Sequence, residues 1–204
     1  MLRRSSFSAL RRALLCCAAP VAALALAGCG GPHGGVADEL STQYAYLGLD
    51  GAVGRAIQLG FDGFNAASSA NIPDQTGDGD AAGTMVVGGK VDQGASSNKG
   101  MRLEVTLTGY SDGPVGDGVD IVYDGGPDAF DLNFKGLPDA DLTGTLSGDF
   151  VMSGDLAGPV TLDLSISGKT EDDGTGKIRR VAGSVHVTGT ATSNYGTFAV
   201  DVSL

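Results

Sequence analysis

Along residues 47–70, apolar side chains return every three or four positions. Leu49, Val53, Ile57, Phe61 and Phe64 fall on one stripe, and Asp50, Arg55, Gln58 and Asp62 lie largely off it. This is the period of a helix with one buried face, and it predicts a helix over 47–70. Gly51, Gly54, Gly60 and Gly63 interrupt it, each at a cost of up to about 1 kcal/mol relative to alanine, so the helix depends on packing partners. Residues 71–83 are rich in turn formers and acids, and predict an acidic loop.

From residue 84 the period changes to two. Eight alternating segments follow: Thr84–Val91, Met101–Thr108, Gly118–Tyr123, Ala129–Lys135, Ala140–Met152, Pro159–Ser167, Ile178–Thr188 and Gly196–Leu204. The alternation is clean in Leu103/Val105/Leu107, Phe130/Leu132/Phe134, Leu162/Leu164/Ile166 and Phe198/Val200/Val202/Leu204. Short strands divided by glycine-bearing turns predict an antiparallel meander.

An internal repeat makes the hairpin its unit. Gly88, Gly94 and Gly100 precede the first of these apolar triplets, Gly148, Gly154 and Gly158 the third, and Gly183, Gly189 and Gly196 the last. A further hairpin over Val119–Phe134 is expected between the first two copies. In the fifth segment Leu142, Leu146, Phe150 and Met152 share a face with Gly144 and Gly148, a pattern that lets a sheet curl sharply. The expected fold class is mainly β: an eight-stranded antiparallel meander, closed or nearly closed into a barrel, with the N-terminal amphipathic helix plugging or covering one side. A two-sheet β-sandwich is the alternative.

The first 28 residues have a different character. Met1–Arg12 carries four arginines and no acid, and Ala13–Ala25 is apolar except for the break at Pro20. A basic start, a short apolar run and small residues form the pattern of a secretory signal peptide. The run is shorter than the roughly 20 residues a spanning helix needs. At its end, Leu26-Ala27-Gly28-Cys29 resembles the lipobox of bacterial lipoproteins. In that family the cysteine sulfur takes a diacylglyceryl group, the signal is cut in front of the cysteine, and the new amino group is often acylated.

The resemblance implies a signal peptide over 1–28, a lipid on Cys29, a lipidated tether over 29–46 and a single folded domain over 47–204. Its partner through the acyl chains is a lipid bilayer, and two or more such chains hold stably at about 0.8 kcal/mol per buried CH₂. The implied location is the cell envelope. Gly30, where inner-membrane lipoproteins carry an aspartate, points to the outer membrane over the inner.

Charge narrows the partners. Removing residues 1–28 takes four of the 13 basic residues and none of the 24 acids, leaving nine against 24 and a net charge of −15. Phosphate neutralisation by Lys and Arg underlies nucleic-acid affinity, so no nucleic acid is expected as partner. Cys16 and Cys17 leave with the signal and Cys29 is taken by lipid, so no disulfide is expected.

Catalytic motifs are sparse. Beyond residue 28 there are two histidines: His33 in the glycine-rich tether, and His186, read as an exposed strand residue without an acidic partner. One constellation stands out. Asp74, Thr76, Asp78 and Asp80 place oxygen donors at alternate positions, with Gly79 at the sixth, and this resembles the start of an EF-hand-type calcium loop. Met85 stands where that loop carries its bidentate glutamate. These four residues are the candidate Ca²⁺ ligands, and no other cofactor is expected.

In an eight-stranded meander, the 71–83 loop would share one end with residues 109–117, 136–141 and 168–177. That end would gather Asp74, Asp78, Asp80, Asp112, Asp117, Asp139, Asp141, Glu171, Asp172 and Asp173 into an acidic rim. Strands crossing the outer membrane are disfavoured by Glu104, Asp131, Asp163 and Asp201 at mid-strand positions. The expectation is a lipid-anchored protein with a binding or structural β-domain, not an enzyme, meeting an unidentified envelope or extracellular partner. The alternative is a carboxylate-dependent hydrolase of an envelope or extracellular substrate.

Overall fold

The computed structural model describes residues 34–66, 69–92 and 94–204. The expected signal peptide over 1–28, Cys29 and His33 lie outside the described residues.

The helix, α1, runs Glu39–Ala66 and so begins eight residues before its predicted start. Its N-terminus is a reciprocal cap. The Ser41 amide donates to Asp38 Oδ1 at 2.7 Å, and Ser41 Oγ accepts from the amides of Ala37 and Asp38. Hydrogen bonds from Ser41 hold the Asp38 carboxyl below its ordinary pKa. The buried stripe begins earlier too: Thr42, Ala45 and Tyr46 precede Leu49, Val53, Ile57 and Phe61, all buried.

Among the described residues nine strands follow: β1 Asn71–Asp78, β2 Ala82–Val91, β3 Lys99–Ser111, β4 Ile121–Lys135, β5 Asp141–Gly154, β6 Gly158–Asp172, β7 Ile178–Arg180, β8 His186–Ser193 and β9 Gly196–Ser203. They form one antiparallel sheet in the order β1-β2-β3-β4-β5-β6-β8-β9, with the short β7 paired to the end of β6. A single sheet replaces the two-sheet sandwich. It is not a closed barrel, since among the described residues no ladder joins β1 to β9. Instead α1 packs against both edge strands as well as β2, β3 and β7. Eight strands laid flat at about 4.8 Å would separate the edges by roughly 34 Å, against a helix about 10 Å wide. The sheet therefore curls around α1, and the helix fills the seam.

One row of the register shows what the curl buries. Ile72, Gly89, Leu103, Phe130, Leu146, Leu164, Gly189 and Val200 are successive cross-strand partners. All the apolar members are buried, and Phe61 of the helix meets Phe134 edge-on with ring centroids 5.0 Å apart.

Three departures from the sequence expectation shape the molecule. Residues 71–78 form β1 rather than a loop, because β2 supplies a ladder for their backbone groups. Gly118–Tyr123 and Ala129–Lys135 are not two strands of a hairpin: residues 121–135 are the single strand β4. The break in alternation at Asp124–Asp128 is a bulge, with a register shift between Pro127 and Ala129. Gly126 is needed there, since a Cβ on it would stand 2.0 Å from the Val105 carbonyl oxygen. Conversely, Ile178–Thr188 is not one strand, and divides into β7 and the start of β8.

Merging β4 removes one chain reversal, and every later connection changes ends. Connections 79–81, 112–120, 155–157 and 194–195 lie at one set of strand ends, and 136–140 and 173–185 at the other. The expected acidic rim is thus divided. Asp80, Asp112 and Asp117 go to one end, and Asp139, Asp141, Glu171, Asp172 and Asp173 to the other.

Candidate functional site

Beside the helix, between α1 and the β7–β8 segment, is a cleft of about 550 Å³. Asp50, Gly51, Gly54, Arg55 and Gln58 recur at helical spacing and form one wall. Arg179, Arg180, Val181, Ala182, Val185 and Leu204 form the other.

Arg180 crosses between the walls. Its guanidinium donates to Asp50 Oδ1 at 2.7 Å, to Asp50 Oδ2 at 3.0 Å and to the Asp50 carbonyl at 2.8 Å. Tyr46 adds a hydroxyl to Asp50 Oδ1 at 2.9 Å. Burial disfavours the Arg180 charge, but the Asp50 carboxylate outweighs it and the pKa is raised. Burial, with the Asp50 charge beside it, also pushes the Tyr46 phenol well up, so it stays a neutral donor. Gly54 makes room, since a Cβ there would stand 2.9 Å from an Arg180 nitrogen.

Arg55 builds a second cluster on the other flank of α1. It donates to the Asp78 carbonyl, to Asp80 Oδ1 at 2.7 Å and to Asp112 Oδ1 at 3.3 Å. Tyr110 donates to Asp112 at 2.8 Å, and burial followed by that bond pushes its phenol pKa up. Arg55 Nε is buried without a hydrogen-bond partner among the described residues. Arg179, the most exposed of the three cleft arginines, pairs with Glu171 at 2.8 Å, and Lys177 nearby pairs with Asp62 at 2.9 Å.

The sequence-predicted site residues lie elsewhere. Asp74, Thr76 and Asp78 stand on the exposed face of β1, where alternate side chains repeat at about 7 Å. An extended strand spreads these donors out, whereas a calcium loop folds back to bring them within about 2.5 Å of one ion. Asp80 leans instead on Arg55. Among the described residues no group of three or more His, Cys, Asp or Glu gathers as metal ligands. His186 is exposed as expected, but it has an acidic partner: Asp201 on β9 lies 2.8 Å from its Nε2. Two-strand pairing brings them together diagonally, which spacing along one strand does not reveal.

Sequence reasoning passed over Arg55, Arg179 and Arg180. A usable signal was their scarcity, since only four arginines follow residue 28 and two of them are adjacent. No family model matches the chain, and no curated protein or solved structure matches it.

Proposed function

We propose that this protein is a lipid-anchored lipoprotein of the cell envelope, held by acyl chains on Cys29, whose β-domain binds its ligand without transforming it. The arginine-lined cleft is the binding site, and its ligand is a small anion bearing carboxylate or phosphate groups. One observation carries this reading. In a chain with net charge −11, three of the four arginines beyond residue 28 line one cleft. Planar guanidinium forks match carboxylate and phosphate geometry. Arg180 is committed to Asp50 and Arg55 to Asp78, Asp80 and Asp112, so Arg179, more than half exposed, is the arginine that meets the ligand, in competition with Glu171.

The test measures melting temperature in succinate, in inorganic phosphate and in chloride at matched ionic strength. A ligand that binds only the folded form stabilises it by mass action. The expected result is a larger rise in succinate or phosphate, reduced in Arg179→Gln. Equal rises in all three salts overturn the anion site. Anchoring is tested separately, because Cys29→Ser should lose palmitate labelling, and retained label overturns the lipid reading.

The hydrolase reading has one observation in its favour. Asp80 and Asp112 accept from the same Arg55 nitrogen, a close carboxylate pair of the kind glycoside hydrolysis uses. Neither lines the cleft, and both spend lone pairs on Arg55. Turnover of nitrophenyl glycosides that is lost in Asp80→Asn would establish that reading in place of the binding module.

A further inference from the structure

We infer that the end of the domain where α1 begins rests on the bilayer surface, with Leu40 and Tyr195 as its lipid-contacting side chains. This rests on the proposed lipidation of Cys29.

The segment leading into α1 is pinned to that end. Val36 is fully buried, and its carbonyl accepts a hydrogen bond from Ser193 Oγ on β8. Gly35 lies so close to its neighbours that a Cβ would stand 2.9 Å from the Ala157 carbonyl oxygen and 3.1 Å from the Tyr195 ring. Residue 35 is thereby wedged between the β5–β6 and β8–β9 turns, and the direction from which the chain arrives is set.

Chain length does the rest. Cys29 stands five residues before Gly34, and a fully extended chain covers at most about 18 Å over five residues. The lipid-bearing residue is confined within that radius of the pinned end. The helix, by contrast, is 28 residues long, about 42 Å at 1.5 Å per residue. Its far end, where Lys177 of the β6–β7 connection pairs with Asp62, is beyond the tether's reach.

The side chains at the near end agree with this placement. Of the four large apolar side chains exposed among the described residues, Leu40 at 56% and Tyr195 at 63% both lie there. Leu40 sits in the first turn of α1 beside Leu156 and Val119, and Tyr195 sits in the β8–β9 turn against the incoming chain. A tyrosine with an apolar ring and polar tip suits the headgroup boundary. Asp38, Asp117 and Asp155 surround Leu40, so this end fits zwitterionic better than anionic lipid. The cleft residues Asp50–Gln58 begin 12 residues beyond Asp38, roughly 18 Å along the helix, which holds the cleft clear of the headgroups.

The chain has no tryptophan, so a single introduced one is a clean probe. The lipidated full-length protein carrying Tyr195→Trp, Leu40→Trp or Thr175→Trp is reconstituted into phosphatidylcholine vesicles containing brominated lipid. Bromine quenches at short range. The expected result is quenching several-fold stronger at positions 195 and 40 than at 175, declining as anionic lipid is added. Protein that floats with the vesicles but is quenched equally at all three positions, or most at 175, overturns the orientation alone. Protein that fails to float overturns the lipid anchor and the orientation with it.

Discussion

Arg180 holds both carboxylate oxygens of Asp50, at 2.7 and 3.0 Å, and so ties the middle of the helix to the strand that extends the end of β6. The two side chains are only 13% and 23% exposed, so the pair is partly withdrawn from water. Removing one partner of such a pair strands a charge, at a cost of about 3–5 kcal/mol when fully buried. Asp50→Ala should therefore cost stability near the bottom of that range, read from urea unfolding as the midpoint shift multiplied by m. Asp50→Leu with Arg180→Met should recover most of the loss, because neither charge remains to be solvated. A double variant as unstable as the single one would show that the geometry of the pair, not its charge balance, holds the helix.

Gly51 offers a test of sign. In an exposed helix interior, glycine to alanine gains up to about 1 kcal/mol. Here a Cβ would stand 2.1 Å from Asp112 Oδ2, an atom already engaged by Tyr110. Gly51→Ala should destabilise the protein and weaken the Arg55–Asp112 contact. A higher melting temperature in this variant would mean that Asp112 moves aside freely.

Alkaline pH reads the buried phenols. Tyr46, Tyr110 and Tyr123 all have pKa values raised above 10.0, foremost by burial. Tyr123 also donates to the Ala45 carbonyl at 2.7 Å. A phenol protonated in the fold and ionised in the unfolded chain contributes stability below pH 10 that is lost as the pH rises above it. Tyrosinate absorbance should lag for these three, then appear together with loss of sheet circular dichroism. Smooth titration of all three around pH 10 with the fold intact would contradict their burial.

Calcium should have no special effect. The acids are divided between two ends of the sheet, and Asp74, Thr76 and Asp78 lie spread along β1. Millimolar Ca²⁺ and sodium chloride of matched ionic strength should raise the melting temperature equally, since only diffuse screening acts. An excess rise in calcium, lost in Asp78→Asn with Asp80→Asn, would show that the β1–β2 turn rearranges around an ion.

The helical stripe at Leu49, Val53, Ile57 and Phe61 and the alternation of β2, β3, β5, β6 and β9 are legible in the sequence because periodicity is a local property. The hairpin unit is legible in part: the first two glycine sets fall on β2–β3 and β5–β6, whereas Gly183 lies ahead of β8 and Gly189 within it. The cap at Asp38 and Ser41 was not legible, because serine stands where a glutamate commonly reciprocates. The helix was consequently started late. The cleft was not legible, because Asp50 and Arg180 are 130 residues apart and nothing near either names the other.

By itself, then, the sequence determined the period of most elements, the face each of these buries, and the acidic balance of the domain. Each of these depends on residues within a few positions of one another. Tertiary structure alone decided that Asp124–Asp128 is a bulge within one strand, since only β3 and β5 on either side supply the ladder that carries the backbone through it. From that one continuity came the parity of every later turn, the division of the acidic residues between two ends, and the position of β7 facing α1. Backbone hydrogen bonds to distant strands set these relations, and they are satisfied only once the strands have paired into one sheet.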